Sequence, residues 1–310
     1  MLGDIGATNA RFALLTNGVL GEVISFDVAS FPRFADAAAV FLKNHGQQIG
    51  ITKAVIAVAG PVERNRCALT NCSWIIDAQE MYETFRLEAR IFNDFEAVAL
   101  SIPSLTAADV VALGGGVAEQ GAPIAVLGPG SGLGAACLVP GFGKPFVIPS
   151  EGGHATLAGM CDREDEIIKQ LRRRFGHVSA ERIVSGAGLE NIYQSIVTLD
   201  GLLLAPRSAA DITKSALCGD CPVAYEALAK FCAFLGSFAG NLVLTLSARG
   251  GVYIAGGISP RILDFLARSE FRDRFEAKGR LRPYLERVPS YVVVHPAAAF
   301  LGLRSIAERF

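Results

Sequence analysis

Three short stretches of this chain hold side chains suited to work on a hydroxyl-rich ligand. Asn93-Asp94 sets a carboxylate between an apolar run, 89–92, and a helical one, 96–101. Such a carboxylate can take a proton from an attacking hydroxyl, although Asp at a helix start is also a common N-cap. Glu151-Gly152-Gly153-His154 places an acid and an imidazole around two glycines, which suggests a sharp loop presenting both side chains. Glu181 follows Ser179 by two residues. With Ser179 as N-cap it falls in the first turn of a helix over 180–184, where a Glu also favours the helix dipole. Carboxylates, amides and imidazoles are the groups that read neutral sugar hydroxyls.

Two glycine-rich turns supply a second kind of chemistry. Gly3-Asp4-Ile5-Gly6-Ala7-Thr8-Asn9 is echoed by Gly128-Pro129-Gly130-Ser131-Gly132-Leu133-Gly134. Each lies among strand-like apolar runs, 10–15 after the first, 124–127 and 135–139 around the second. Glycine turns expose backbone N–H groups and let an anion approach the main chain closely. A third strand follows in each half, at 21–28 and 144–149, so the unit of three strands with a phosphate turn is repeated. Two lobes gripping one polyphosphate is the outline of a nucleotide-dependent phosphotransferase. Arg11 and Lys144 are further candidate phosphate ligands.

Rival chemistries are weaker. No Gly-x-x-x-x-Gly-Lys-[Ser/Thr] occurs, which excludes a P-loop. Gly130-x-Gly132-x-x-Ala135 matches the dinucleotide fingerprint, but that motif must open a helix, and 136–139 reads as a strand. Cys218-x-x-Cys221 has no second pair or nearby histidine to complete a zinc set, so it reads as a loop with two thiols. His45, His177 and His295 carry no chemistry, and Trp74 packs beneath the loop holding Thr70-Asn71.

The 310 residues are 51% apolar and 19% charged with net charge −1, enough for two α/β lobes. That balance marks neither nucleic acid nor an anionic membrane as partner. Seven scattered cysteines and no secretory signal point to the cytoplasm. The uncharged stretch 231–248 is long enough to span a bilayer and carries Gly236-x-x-x-Gly240, a helix-pairing pattern. Its Ser, Asn and Thr residues favour a buried core helix instead. Further helices are predicted at 34–45, 78–85, 164–175, 188–196, 223–248 and 300–309. Strands are predicted at 54–59, 89–92, 251–255 and 291–295. Ser259 and Pro260 read as N-cap and N1 of another helix, and 106–121 reads as a crossover between lobes. Alternation of strands and helices favours an α/β sheet.

The pieces GDIGATNARFAL, LTNCSW, IFNDFEAVA, GPGSGLG, EGGH, GHVSAERIVSGAGL and GGVYIAGGI, in this order, resemble the bacterial glucokinases over nearly the whole length. The resemblance implies the two-domain actin-like ATPase (ribonuclease H-like) fold, an α/β architecture with duplicated βββαβα units and an interdomain cleft. It implies a small domain, 1–104 plus 295–310, and a large one, 105–294. It implies transfer of the ATP γ-phosphoryl group to the 6-hydroxyl of D-glucose, with Mg²⁺, and a homodimer. Alternatives are a kinase for another hexose and a non-catalytic sugar- and nucleotide-binding protein. Asp94 then resembles the catalytic base. Asn71, Asn93, Glu151, His154 and Glu181 resemble the sugar ligands. Asp4, Gly6, Thr8, Asn9, Gly128, Gly130, Ser131 and Gly132 resemble the Mg²⁺–phosphate cradle, with Asp4 reaching the metal through water. Gly256-Gly257 resembles the adenosine site.

The chain departs from the family at several places. Only Met1-Leu2 precede Gly3, so either the start is artificial or the first strand is truncated. Ala7 stands where Gly is usual, and its methyl is expected to loosen nucleotide binding. Ser131 stands where Thr is usual and keeps the hydroxyl. The zinc-binding cysteines of the related repressor-type sugar kinases are absent after His154.

Overall fold

The computed structural model describes residues 1–45, 50–69, 72–141 and 143–310. The chain forms two compact units, Met1–Thr106 with His295–Phe310, and Ala107–Val294.

Unit 1 is built on strands β1 (Leu2–Ile5), β2 (Asn9–Ala13), β5 (Ile24–Asp27), β6 (Lys53–Val58) and β9 (Glu88–Asn93), in the order β5-β2-β1-β6-β9. β1, β6 and β9 run parallel, and β2 and β5 complete the sheet antiparallel. Short as it is, β1 pairs along all four residues with both neighbours. Two small hairpins, β3 (Leu15–Thr16) with β4 (Val19–Leu20) and β7 (Arg66–Ala68) with β8 (Ile75–Asp77), leave no periodic signal long enough to be read from sequence. Helices α1 (Phe34–His45), α2 (Ala78–Phe85) and α3 (Asp94–Ser101) follow the strands, and α11 (Ala298–Ala307) returns to pack on α3, β1 and β6. Phe12 stacks on Phe41 at 5.3 Å between ring centroids, and Phe34 links it to buried Trp74. Trp74 also donates to Phe31 O at 3.0 Å. His45 stacks on Phe41, and His295 Nδ1 accepts from Ala297 N, so both do structural work.

Unit 2 repeats the plan with β10 (Val110–Gly114), β11 (Ile124–Pro129), β12 (Leu133–Val139), β13 (Phe146–Ser150), β14 (Val252–Ile254) and β15 (Ser290–Val293). The order is β10-β15-β14-β11-β12-β13, in which β13-β12-β11-β14-β15 matches β5-β2-β1-β6-β9 of unit 1, direction for direction. The expected crossover at 106–121 instead contains β10, antiparallel to β15 and ending at Gly114, whose φ is +128°. Its valines carry the strand signal, and the glycines that follow hide it.

The helices of unit 2 are α4 (Asp162–Phe175), α5 (Gly186–Leu199), α6 (Ala209–Cys218), α7 (Pro222–Leu246), α8 (Leu263–Arg268), α9 (Phe271–Glu276) and α10 (Arg282–Glu286). α7 is the one described helix long and apolar enough to cross a membrane, and 78% of its most apolar window is buried inside the fold. Gly236 and Gly240 let α9 lie directly on its backbone: an added Cβ on Gly240 would sit 2.5 Å from Phe275 O, and one on Gly236 would collide with Phe271 O. The pairing motif therefore serves a helix contact inside one unit. Gly236→Leu is expected to cost about 3 kcal/mol or more, because neither backbone can retreat without opening the core. Denaturant unfolding at constant m-value checks this, and an unchanged midpoint would refute it.

Two helix starts differ from expectation. Residues 180–184 form one hydrogen-bonded turn, Ile183 N and Val184 N both donating to Ala180 O, and α5 begins afterwards with its own N-cap, Ser185. Ser259 is not a cap but the first residue of a short 3-10 helix, Ser259–Ile262. Cys218 and Cys221 flank the turn between α6 and α7, where Gly219 closes α6 with a left-handed backbone. Among the described residues no group of three His, Cys, Asp or Glu side chains forms a metal cluster.

Candidate active site

In unit 1 the candidates gather at the carboxyl edge of the parallel strands. Ile5, Val58 and Asn93 are in register across β1, β6 and β9, so the first glycine turn and Asn93-Asp94 leave the sheet side by side. Open α/β sheets bind ligands at this edge. The turn is closed by Gly6 N donating to Asn9 O, and Val28 N donates to Thr8 O. Thr8 and Asn9 are exposed. Ala7 is not among the residues with positive φ, so its methyl meets no backbone penalty and strain is no cause for the expected loosening. Ala7→Gly would relieve no strain here.

Asn93, not Asp94, caps α3: its Oδ1 accepts from Phe95 N at 2.9 Å. Glu96 completes a capping box, its carboxyl bonded by the Asn93 backbone, while burial pushes that carboxyl up. Asp94 Oδ1 also meets Phe95 N, but the helix start is secured without it. The cap reading of Asp94 thus loses its force. Asn93 Nδ2 donates to Gly60 O, which fixes the strand end. Cys67 lies close by, its thiol pushed up first by burial and then by the charge of Asp94.

Asp4 is 7% exposed, and its Oδ2 pairs with Arg11, which also donates to Pro296 O. Burial pushes the Asp4 carboxyl up, and the Arg11 charge and hydrogen bond oppose this. Arg11 is therefore a partner of Asp4 rather than a free phosphate ligand. Arg11→Ala would strand a buried carboxylate. The expected loss is about 2–3 kcal/mol, below the cost of a fully buried pair because Arg11 is partly exposed. Thermal unfolding of Arg11→Ala against Arg11→Lys measures it, and equal stability of Arg11→Ala and wild type would refute it. A single buried carboxylate with one oxygen already paired suits Mg²⁺, which keeps most of its waters and takes one or two carboxylates with substrate phosphates. It does not suit an all-protein metal cage.

In unit 2 the turn at 128–134 is the meeting point of the other candidates. Gly130 N donates to Gly132 O within it, and Gly186 N, at the start of α5, donates to Gly130 O. Leu133 N donates to Glu181 Oε2 at 2.9 Å. A Cβ on Gly132 would lie 2.5 Å from that oxygen, so a side chain there would push the carboxylate aside. Glu181 N donates to Gly153 O, and Gly153 packs so closely on Leu133 O that no side chain fits. Gly256, with φ +82°, sits against Pro129 O, and Ala255 N donates to Leu127 O. Gly256-Gly257 and Ser131 are exposed at this edge. Gly128 pairs with Gly134 at the end of the hairpin.

Glu151 and His154 are exposed, with Oε2 and Nε2 3.9 Å apart across one tight turn in which His154 N donates to Glu151 O. Lys144 is at the other end of β12 from the phosphate turn, about 20 Å away by strand rise, so it is no ligand of that turn. His177 bonds Thr156 Oγ1 at 2.9 Å. Asn71 lies outside the described residues. Sequence reasoning missed the bond from Leu133 to Glu181; the space beside Gly132 that admits the carboxylate is legible only once both segments are placed.

The family model described as Glucokinase matches residues 1–310. The "Glucokinase" of Psychromonas ingrahamii is 43% identical over 97% of this chain and 94% of its own length. The crystal structure of glucokinase from an Antarctic psychrotroph, 35% identical, covers 100% of this chain and 98% of that one with TM-score 0.87. A ROK family glucokinase from Streptomyces griseus in complex with glucose and AMPPNP is only 17% identical and shares the fold alone, with TM-score 0.67 over 99% of this chain and 98% of that one. The fold is the two-domain α/β fold of the sugar kinases in the actin-like ATPase superfamily. By the full-length match and the identity to its relatives, this chain belongs to the glucokinase family.

Proposed function

We propose that the protein transfers the γ-phosphoryl group of ATP to the 6-hydroxyl of D-glucose. The observation that carries this reading is the Asn93-Asp94 pair. A half-buried carboxylate stands at the carboxyl end of a parallel strand, and its helix is capped by other residues. Asp94 takes the proton of the sugar hydroxyl as it attacks. Glu151, His154, Glu181 and Asn93 read the remaining hydroxyls, with Asn71 a further candidate.

Phosphoryl transfer asks the protein mainly for positioning and charge stabilisation. The backbone N–H groups of the two glycine turns, with Thr8, Asn9 and Ser131, hold the phosphates. Gly256-Gly257 leaves room for adenosine. Asp4 would hold Mg²⁺, which would neutralise charge on the phosphate oxygens. The seven cysteines are all unpaired, which supports a reducing cytoplasm as its compartment. Family membership supports a homodimer.

A coupled assay of ADP release with Mg-ATP and a panel of hexoses tests the reading. Release that depends on glucose, above that with other hexoses, is expected. Folded protein giving no sugar-dependent release would sink it.

A further inference from the structure

Unit 2 holds a cavity of about 390 Å³ that shares no residue with the turn at 128–134, the loop at 151–154 or Gly256-Gly257. Three arginines line it, Arg174 at the end of α4, Arg182 in the turn before α5, and Arg207 before α6. Arg174 and Arg182 lie over the same ring, their Cζ atoms 4.6 and 4.3 Å from the Phe175 centroid. Arg174 otherwise bonds Asn191 Oδ1, and Arg207 bonds Ser215 Oγ. Among the described residues none of the three makes an ion pair with a carboxylate, although most other arginines that bond side chains in this unit do. The one carboxylate lining the cavity, Glu190, is committed to the backbone N–H of Ala209 at 2.9 Å.

Two further lining residues carry orphaned polar atoms. Tyr193 is 1% exposed, and its Oη is buried without a hydrogen-bond partner among the described residues. Gln194 Oε1 is in the same condition. Like charges that converge on one ring repel unless an anion neutralises them. Buried hydroxyl and amide oxygens are costly unless something bonds them.

We propose that this cavity binds a small phosphorylated metabolite bearing free hydroxyls. Three guanidiniums against one carboxylate leave a lining charge that matches a phosphomonoester dianion. Arginine forks are the side chains suited to hold phosphate oxygens two at a time. A hydroxyl of the ligand donates to Gln194 Oε1, and another bonds Tyr193 Oη. The site also touches the machinery at one place. Asn191, gripped by Arg174, donates to Arg182 O, and Arg182 directly follows Glu181.

Calorimetric titration of the whole protein with glycerol 3-phosphate tests the proposal, with inorganic phosphate and glycerol as partial probes. The titration is run with saturating glucose and a non-hydrolysable ATP analogue, and again without them. One saturable site is expected in both conditions. The double variant Arg174→Gln/Arg182→Gln and the single variant Arg207→Gln should each weaken binding at least tenfold. Arg249→Gln, which breaks an exposed ion pair elsewhere on the unit, should leave it unchanged. Tyr193→Phe should weaken glycerol 3-phosphate several-fold and leave inorganic phosphate unaffected. No saturable binding to wild type, full binding to both arginine variants, or competition by the ATP analogue would each overturn the proposal. The competition outcome separates this cavity from the nucleotide site, and it does not depend on whether the enzyme prefers glucose.

Discussion

Asp94→Asn should lower turnover by about 10²–10⁴-fold, the span usual for loss of a general base, while the protein keeps its stability. The structure sharpens this expectation. Asn93 Oδ1 and the Glu96 carboxyl secure the start of α3, and an amide at position 94 can still accept from Phe95 N as Asp94 Oδ1 does. The substitution therefore removes a proton acceptor and keeps the bonds that start the helix. Glucose affinity, measured by titration without nucleotide, should change far less than turnover. An Asp94→Asn enzyme with near-native turnover would reduce the residue to a helix-start carboxylate. A variant that melts many degrees lower would show that Asp94 supports the fold after all. The control is Asn93→Ala, which removes the cap and should cost about 1 kcal/mol of stability.

The second large effect is expected at Glu181. A sugar ligand alone would raise the KM for glucose and leave that for ATP little changed. Here the same carboxylate accepts from Leu133 N inside the second glycine turn. Glu181→Ala leaves that N–H without its partner and opens space beside Gly132. The cost of an unpaired buried donor, about 1–3 kcal/mol, corresponds to roughly 5–150-fold. Both Michaelis constants should therefore rise. Glu181→Gln keeps an oxygen for Leu133 N, so it should restore the ATP constant more completely than the glucose constant. Glu181→Ala with an unchanged ATP constant would show that the turn keeps its shape unaided.

These two residues also show what a linear sequence can carry. The repeated strand–turn–strand unit was legible because each glycine turn sits among β-branched and alanine-rich runs, and the sheet orders of the two units confirm the repetition. Helix α7 was legible as a buried helix because polar residues interrupt an otherwise apolar stretch. The turn at 180–184 was read as a helix because Ser179 has the chemistry of a cap, and its Oγ does lie 3.4 Å from Arg182 N. Tertiary bonds from Glu181 and Gly186 to the glycine turn stop that helix after one turn. The strain expected at Ala7 is absent because the family preference for glycine says nothing of the φ adopted here. Bonds between segments far apart, such as Leu133 with Glu181, leave no local period at all.

The path of the backbone has a consequence for how the protein is made. Helix α11 belongs to unit 1, yet it is synthesised after the whole of unit 2. It packs on α3, the helix that starts at Asp94, so tightly that an added Cβ on Gly302 would collide with Ala97 O. Until α11 leaves the ribosome, that face of α3 and of the β1–β6 sheet has no cover. At about 5–20 residues per second the N-terminal unit waits roughly ten to forty seconds for its last helix. Unit 2, contiguous in sequence, has no such delay. The segment carrying the proposed base therefore lacks its packing partner until the end of synthesis, and a nascent chain stalled before residue 298 would display an apolar face to chaperones.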